Sequence, residues 1–150
     1  MTVLGSSPSV LLPSHPEQRD AFPAINTARL SWWRSHSADA FSKGDAERIR
    51  VSLRACPMGA DPRWEHAVEG NVAAAVGIAI RVVWRCEPLG VSSDAALSAL
   101  LACAVEGDAT AVFLLSAALD RRAKTCPECI RLADSWLLAS VKSPPTAPNE

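Results

Sequence analysis

The sharpest chemical spacing in the chain is Cys126-Pro127-Glu128-Cys129. Two thiols three residues apart can form half of a zinc site or a redox pair. Structural zinc takes four ligands, commonly from two such pairs, and no second C-x-x-C exists here. Cys86, Cys103 and His66 could complete a set only through tertiary placement. A thioredoxin-like pair needs a βαβ setting, which the pattern does not contain. The structural alternative is direct. Thr125 and Glu128 have the spacing of a capping box, and the two cysteines then flank a helix start.

The remaining candidates are weaker. His15, His36 and His66 are the only histidines, and none lies beside a nucleophile motif. A dyad assembled in space would leave no such mark. Glu65 and Glu69 are one helical turn apart, but the Glu-x-x-His pattern of diiron bundles is absent. They read as a solvated face. All seven glycines are isolated, so no phosphate-binding loop is present. No catalytic, cofactor-binding or metal-ligating residue is therefore assigned.

Residues 29–63 form a mildly basic stretch. Arg29, Arg34, Lys43, Arg48, Arg50, Arg54 and Arg63 stand against Asp39, Asp45, Glu47 and Asp61. With Trp32 and Trp33 nearby, this could hold phosphates and stack bases. The other reading is an ordinary solvated face with tryptophan in the core. The excess of cations is small, and the formal net charge of the chain is −1. Composition thus gives no strong pull towards nucleic acid.

These residues need elements to position them, and the pattern is helical. Leu97, Leu100, Leu101 and Ala104 follow i, i+3, i+4, i+7, with Asp94, Ser98 and Glu106 on the other side. Residues 71–86 are apolar nearly all round, which predicts a central, buried helix. Asn26 or Thr27 can cap a first helix running to about Ser42. Asp61-Pro62 reads as an N-cap with proline at the first helical position, and Ser92 or Ser93 can cap the next element. Arg48–Arg54 alternates as a strand would. Ala46, Ile49, Leu53 and Cys56 also make a helical face, and an unpaired strand is unstable, so the segment is read as helix.

Glycine followed by a capping residue recurs at Gly44-Asp45, Gly70-Asn71 and Gly107-Asp108. Each is a stop-and-restart signal for consecutive helices. Ala67-Val68-Glu69-Gly70-Asn71-Val72-Ala73-Ala74 matches Ala104-Val105-Glu106-Gly107-Asp108-Ala109-Thr110-Ala111. Such spacing is that of helix-hairpin repeats. From Ala67 to Leu119 the chain resembles the Sel1-like and tetratricopeptide-like helical repeats. It departs from the Sel1 pattern where Leu115 is followed by Ser116 and where Leu119 stands near the aromatic position. The resemblance implies stacked helix hairpins and a protein-binding scaffold; a compact irregular bundle remains the alternative.

The expected fold is all-α, with six or seven short antiparallel helices. One domain spans residues 24–142, between a flexible Pro/Ser-rich tail at 1–23 and a flexible end at 143–150. Its core should include Ile49, Leu53, Val76, Ile80, Val83, Leu97, Leu101, Val112, Leu115, Ile130 and Leu137. Twelve arginines against three lysines, no tyrosine and frequent alanine suggest a GC-rich bacterial genome. The odd count of five cysteines argues against a disulfide framework. No signal peptide or membrane span is apparent, so a cytoplasmic protein is expected. An interaction or adaptor module that binds another protein is the leading functional expectation. A nucleic-acid accessory role through residues 29–63, and zinc or redox chemistry at Cys126 and Cys129, are the alternatives.

Overall fold

The computed structural model describes residues 5, 27–56, 58, 61–85 and 88–142. The two expected tails, His15 and Cys86 lie outside the described residues, apart from Gly5. Within them the chain is helical and no strand occurs. The helices are α1 (Thr27–Leu30), α2 (Lys43–Arg54), α3 (Trp64–Val68), α4 (Val72–Trp84), α5 (Val91–Val105), α6 (Ala109–Ala123) and α7 (Cys129–Lys142). Two short 3-10 turns, Trp32–Arg34 and Ala38–Ala40, join α1 to α2.

The centre of the array is α5. Every residue from Ser93 to Ala104 is buried, and α1, α2, α4 and α6 all pack against it. Its alanines let these neighbours approach closely, while Leu97, Leu100 and Leu101 fill the space between them. Each such leucine contributes roughly 1.5–3 kcal/mol by leaving water. Asp94 and Ser98 on its early turns are buried too, contrary to the expected solvent-facing side. Ser98 donates to the Leu30 carbonyl at 2.8 Å, and Asp94 accepts from Trp33 and Arg34. They tie the N-terminal segment to the centre, and that explains their burial.

The central position expected for α4 is corrected in the same way. Its packed face is small (Ala74, Ala75, Ile78 and Ala79), which leaves Val76 and Val83 half-buried and Ile80 exposed. On α7 the buried face is Cys129, Ala133 and Trp136, so Ile130 and Leu137 are exposed rather than core. Ile49, Leu53, Leu97, Leu101, Val112 and Leu115 are buried as expected.

The junctions α3–α4 and α5–α6 share one geometry. Gly70 and Gly107 both have φ of 97°, in the left-handed region that L side chains avoid. Asn71 accepts from the Ala74 N–H at 2.9 Å, and Asp108 from the Ala111 N–H at 2.8 Å. Asn71 N–H donates back to the His66 carbonyl and Asp108 N–H to the Cys103 carbonyl. The preceding helix end and the following helix start are thereby satisfied together.

Other punctuation differs from the sequence expectation. The first helix stops at Leu30, because Ser31 and Ser35 hydroxyls bond back to the Ala28 and Ser31 carbonyls and Trp33 is drawn to Asp94. Gly44 lies inside α2, whose cap is Ser42; the Ser42 N–H donates to Asp45 at 2.8 Å. Asp61 opens a turn by accepting from the Arg63 N–H, so α3 begins only at Trp64 and Pro62 stays outside it. Ser93 sits within α5 and accepts from the Gly90 N–H. Thr125 bonds back to the Arg122 carbonyl and ends α6, leaving α7 to start at Cys129 without the Thr125–Glu128 box. The Arg48–Arg54 segment is helix, within α2.

Candidate functional site

The arginines of residues 29–63 are mostly engaged in holding the fold together. Arg34 pairs with Asp94 through two hydrogen bonds of 3.0 Å, and the same carboxylate accepts from the Trp33 indole at 2.9 Å. Arg50 is buried and makes a bidentate pair with Glu106, at 2.5 and 2.7 Å. Arg54, one turn later on α2, bridges Glu47 and Glu69. Glu69 and Glu106 occupy equivalent places just before the two junction glycines, so both junctions are fastened to α2. Arg48 pairs with Asp45, and Arg63 with Asp61. Arg29 stacks over Trp32. Carboxylates thus answer five of the arginines that would have had to hold phosphates.

The cysteine pair is brought together where α6 turns into α7. Cys129 is buried and Cys126 half-buried. Burial pushes the Cys129 thiol up, and the adjacent Cys126 thiol adds to the shift; the Arg122 guanidinium opposes it. A thiol held in its neutral form is a poor nucleophile. Among the described residues no group of three or more His, Cys, Asp and Glu is placed to share a metal ion. Burial also raises the Cys56 and Cys103 thiols.

His36 is exposed and lies 2.9 Å from the Ser35 hydroxyl. That hydroxyl also donates to the Ser31 carbonyl, in a local turn. His36 packs edgewise among Trp32 and Phe41. His66 and Glu65 are exposed on α3, and Glu69 is committed to Arg54.

A surface feature that the other described residues leave uncovered is on α7. This helix is apolar on two faces. Its inner face packs on α6, where the Ser116 hydroxyl donates to the Ala133 carbonyl, and Trp136 stacks on Phe41 at 5.7 Å. The 3-10 turn at Ala38 adds a bond from its N–H to the Ser135 hydroxyl. On the outside, Ile130, Leu137 and Val141 fall within about 40° of one another at 100° per residue, with Leu138 beside them. Their exposures are 43%, 43%, 82% and 60%. Exposed Asp134 lies within this face, between Ile130 and the Leu137–Leu138 pair, and exposed Arg131 and Lys142 border it on the Leu138 side. Phe113 on α6 and Trp84 on α4 are each 69% exposed as well, the latter beneath the Arg121 guanidinium.

Sequence reasoning placed Ile130 and Leu137 in the core because periodicity marks apolar faces without saying which one packs. The doubled pattern was nonetheless present, as Cys129, Ala133 and Trp136 next to Ile130, Leu137 and Val141. Among the described residues no helix is long and apolar enough to cross a membrane. No protein-family model matches the chain, and neither does a curated protein or a solved structure.

Proposed function

We propose that the protein is a non-catalytic interaction module that binds another protein through the outer face of α7. One observation carries this reading: four large aliphatic side chains stand exposed on one side of a helix whose opposite side already packs. An exposed apolar face interrupted by one carboxylate is what a partner helix with an apolar stripe and a facing cation covers. Arg131 and Lys142 on the border favour acidic residues flanking that stripe, and Asp134 favours a basic one. The pairing of the arginines in residues 29–63 supports this reading over the nucleic-acid alternative.

The junction geometry at Gly70 and Gly107 is compatible with stacked hairpins of the Sel1 or tetratricopeptide kind, whose usual role is binding protein. That kinship stays part of the proposal, as do a cytoplasmic location and a bacterial source.

A photo-crosslinking residue placed at position 138, with position 65 on α3 as control, tests the reading in cells that express the protein. The expected result is one dominant partner captured from 138 and not from 65. That partner, purified, should bind the wild-type chain and bind Leu138→Asp at least tenfold more weakly. Equal capture from both positions, or equal binding by both chains, would overturn the proposal.

A further inference from the structure

A cavity of about 480 Å³ lies between α4, α5 and the C-terminal end of α6. That is within the ordinary size range of small-molecule sites. Trp33, Val83, Leu89 and Leu97 form its apolar walls. At its other side stand Arg122 and Lys124, with Arg121 next to them, and none of the described lining residues is acidic. Ser93 and Thr125 also line it.

Cations in the last turn of a helix answer the macrodipole, and this accounts for part of the charge at the end of α6. It does not account for Arg122, whose half-buried guanidinium lies against the Cys129 thiol, lines the cavity and meets no carboxylate among the described residues. An anion in the cavity would pair with that charge. Apolar walls on one side and a cationic wall on the other define the shape of the missing occupant.

The geometry points to a binding site for a small amphipathic anion, with its apolar body between Trp33, Leu89 and Leu97 and its carboxylate accepting from Arg122 beside Lys124. The site is separate from the outer face of α7 and stands whether or not that face binds a partner.

Calorimetric titration of the full chain with decanoate, decan-1-ol and acetate tests this, since the three share only the tail or only the head. Decanoate is expected to bind saturably at one equivalent with a dissociation constant below about 1 mM. Decanol and acetate should each bind at least tenfold more weakly. Arg122→Gln should weaken decanoate roughly tenfold or more, and Lys124→Gln several-fold, without changing decanol. Lys124 is exposed, so its variant keeps the test valid if Arg122→Gln fails to fold. Methyl signals of Val83, Leu89 and Leu97 should shift on binding while those of Leu137 and Leu138 stay in place. No binding below about 1 mM, decanol binding as tightly as decanoate, or methyl shifts confined to α7 would each overturn the assignment.

Discussion

Gly70 and Gly107 form a matched pair on which the ion-pair fastening of the junctions can be measured. Both have φ of 97°, so alanine meets the same backbone penalty at each. Left-handed backbone costs an L-residue roughly 1–2 kcal/mol, and reduced freedom of the unfolded chain returns about 0.4–1 kcal/mol. Gly107→Ala, whose added Cβ meets nothing within 4 Å, should therefore cost about 1 kcal/mol. At Gly70 the added Cβ would lie 2.9 Å from Arg50 Nη2 and 3.2 Å from its Cζ. The guanidinium can move away only by loosening its grip on Glu106. A charge-assisted hydrogen bond contributes about 1.5–3 kcal/mol. The Glu106 side chain is 47% exposed, so solvent screening reduces the excess at Gly70 to about 1 kcal/mol. Urea unfolding at pH 7 should place Gly70→Ala about 2 kcal/mol below wild type and Gly107→Ala about 1 kcal/mol below, with unchanged m values. In a Glu106→Gln background Arg50 is free to shift, and the excess at Gly70 should vanish. Equal costs at the two glycines, or an excess that survives Glu106→Gln, would refute the reasoning.

Other consequences follow from the same structure. Asp94→Ala removes the acceptor of both Arg34 and the buried Trp33 indole. The partial exposure of Arg34 limits the expected cost to about 2–3 kcal/mol, read by urea unfolding together with a change in tryptophan emission. Arg50 holds the Glu106 carboxyl below its ordinary value of 4.5. The folded form thus binds the proton less readily than the unfolded one, and the pair stabilises at neutral pH. The stability gap between wild type and Glu106→Gln should be constant above pH 4.5 and close as the pH falls through the lower folded-state value. Burial raises the Cys56, Cys103 and Cys129 thiols, so a disulfide reagent at pH 8 should leave these three unmodified until denaturant is added, with the more exposed Cys126 reacting before them.

The legibility of the fold in the sequence follows the range of the interactions involved. Gly70-Asn71 and Gly107-Asp108 were readable because a left-handed glycine and its neighbouring cap act within five residues. The helical state of Lys43–Arg54 was readable because Ala46, Ile49 and Leu53 repeat with the helical period, and they are buried together. The early end of the first helix was not readable. It depends on Asp94, sixty positions away, drawing Trp33 and Arg34 inwards. Long-range pairing also hid the role of Arg50, whose partner Glu106 lies in the opposite half of the chain. The sequence likewise offered two apolar faces on α7 and two on α4. Choosing between them required knowing that α5, with its small side chains, takes the centre. The cavity lined by Trp33, Leu97 and Arg122 brings together three separate helical segments and left no local signature.

The central claim is that the outer stripe of α7 serves binding and is surplus to folding. Its most direct test is the double variant Leu137→Asp, Leu138→Asp, followed by urea unfolding and by capture of the partner on the same preparation. The account predicts an unfolding free energy within about 0.5 kcal/mol of wild type, as for exposed positions, and loss of capture. Marked destabilisation with capture intact would contradict it and return these side chains to the core.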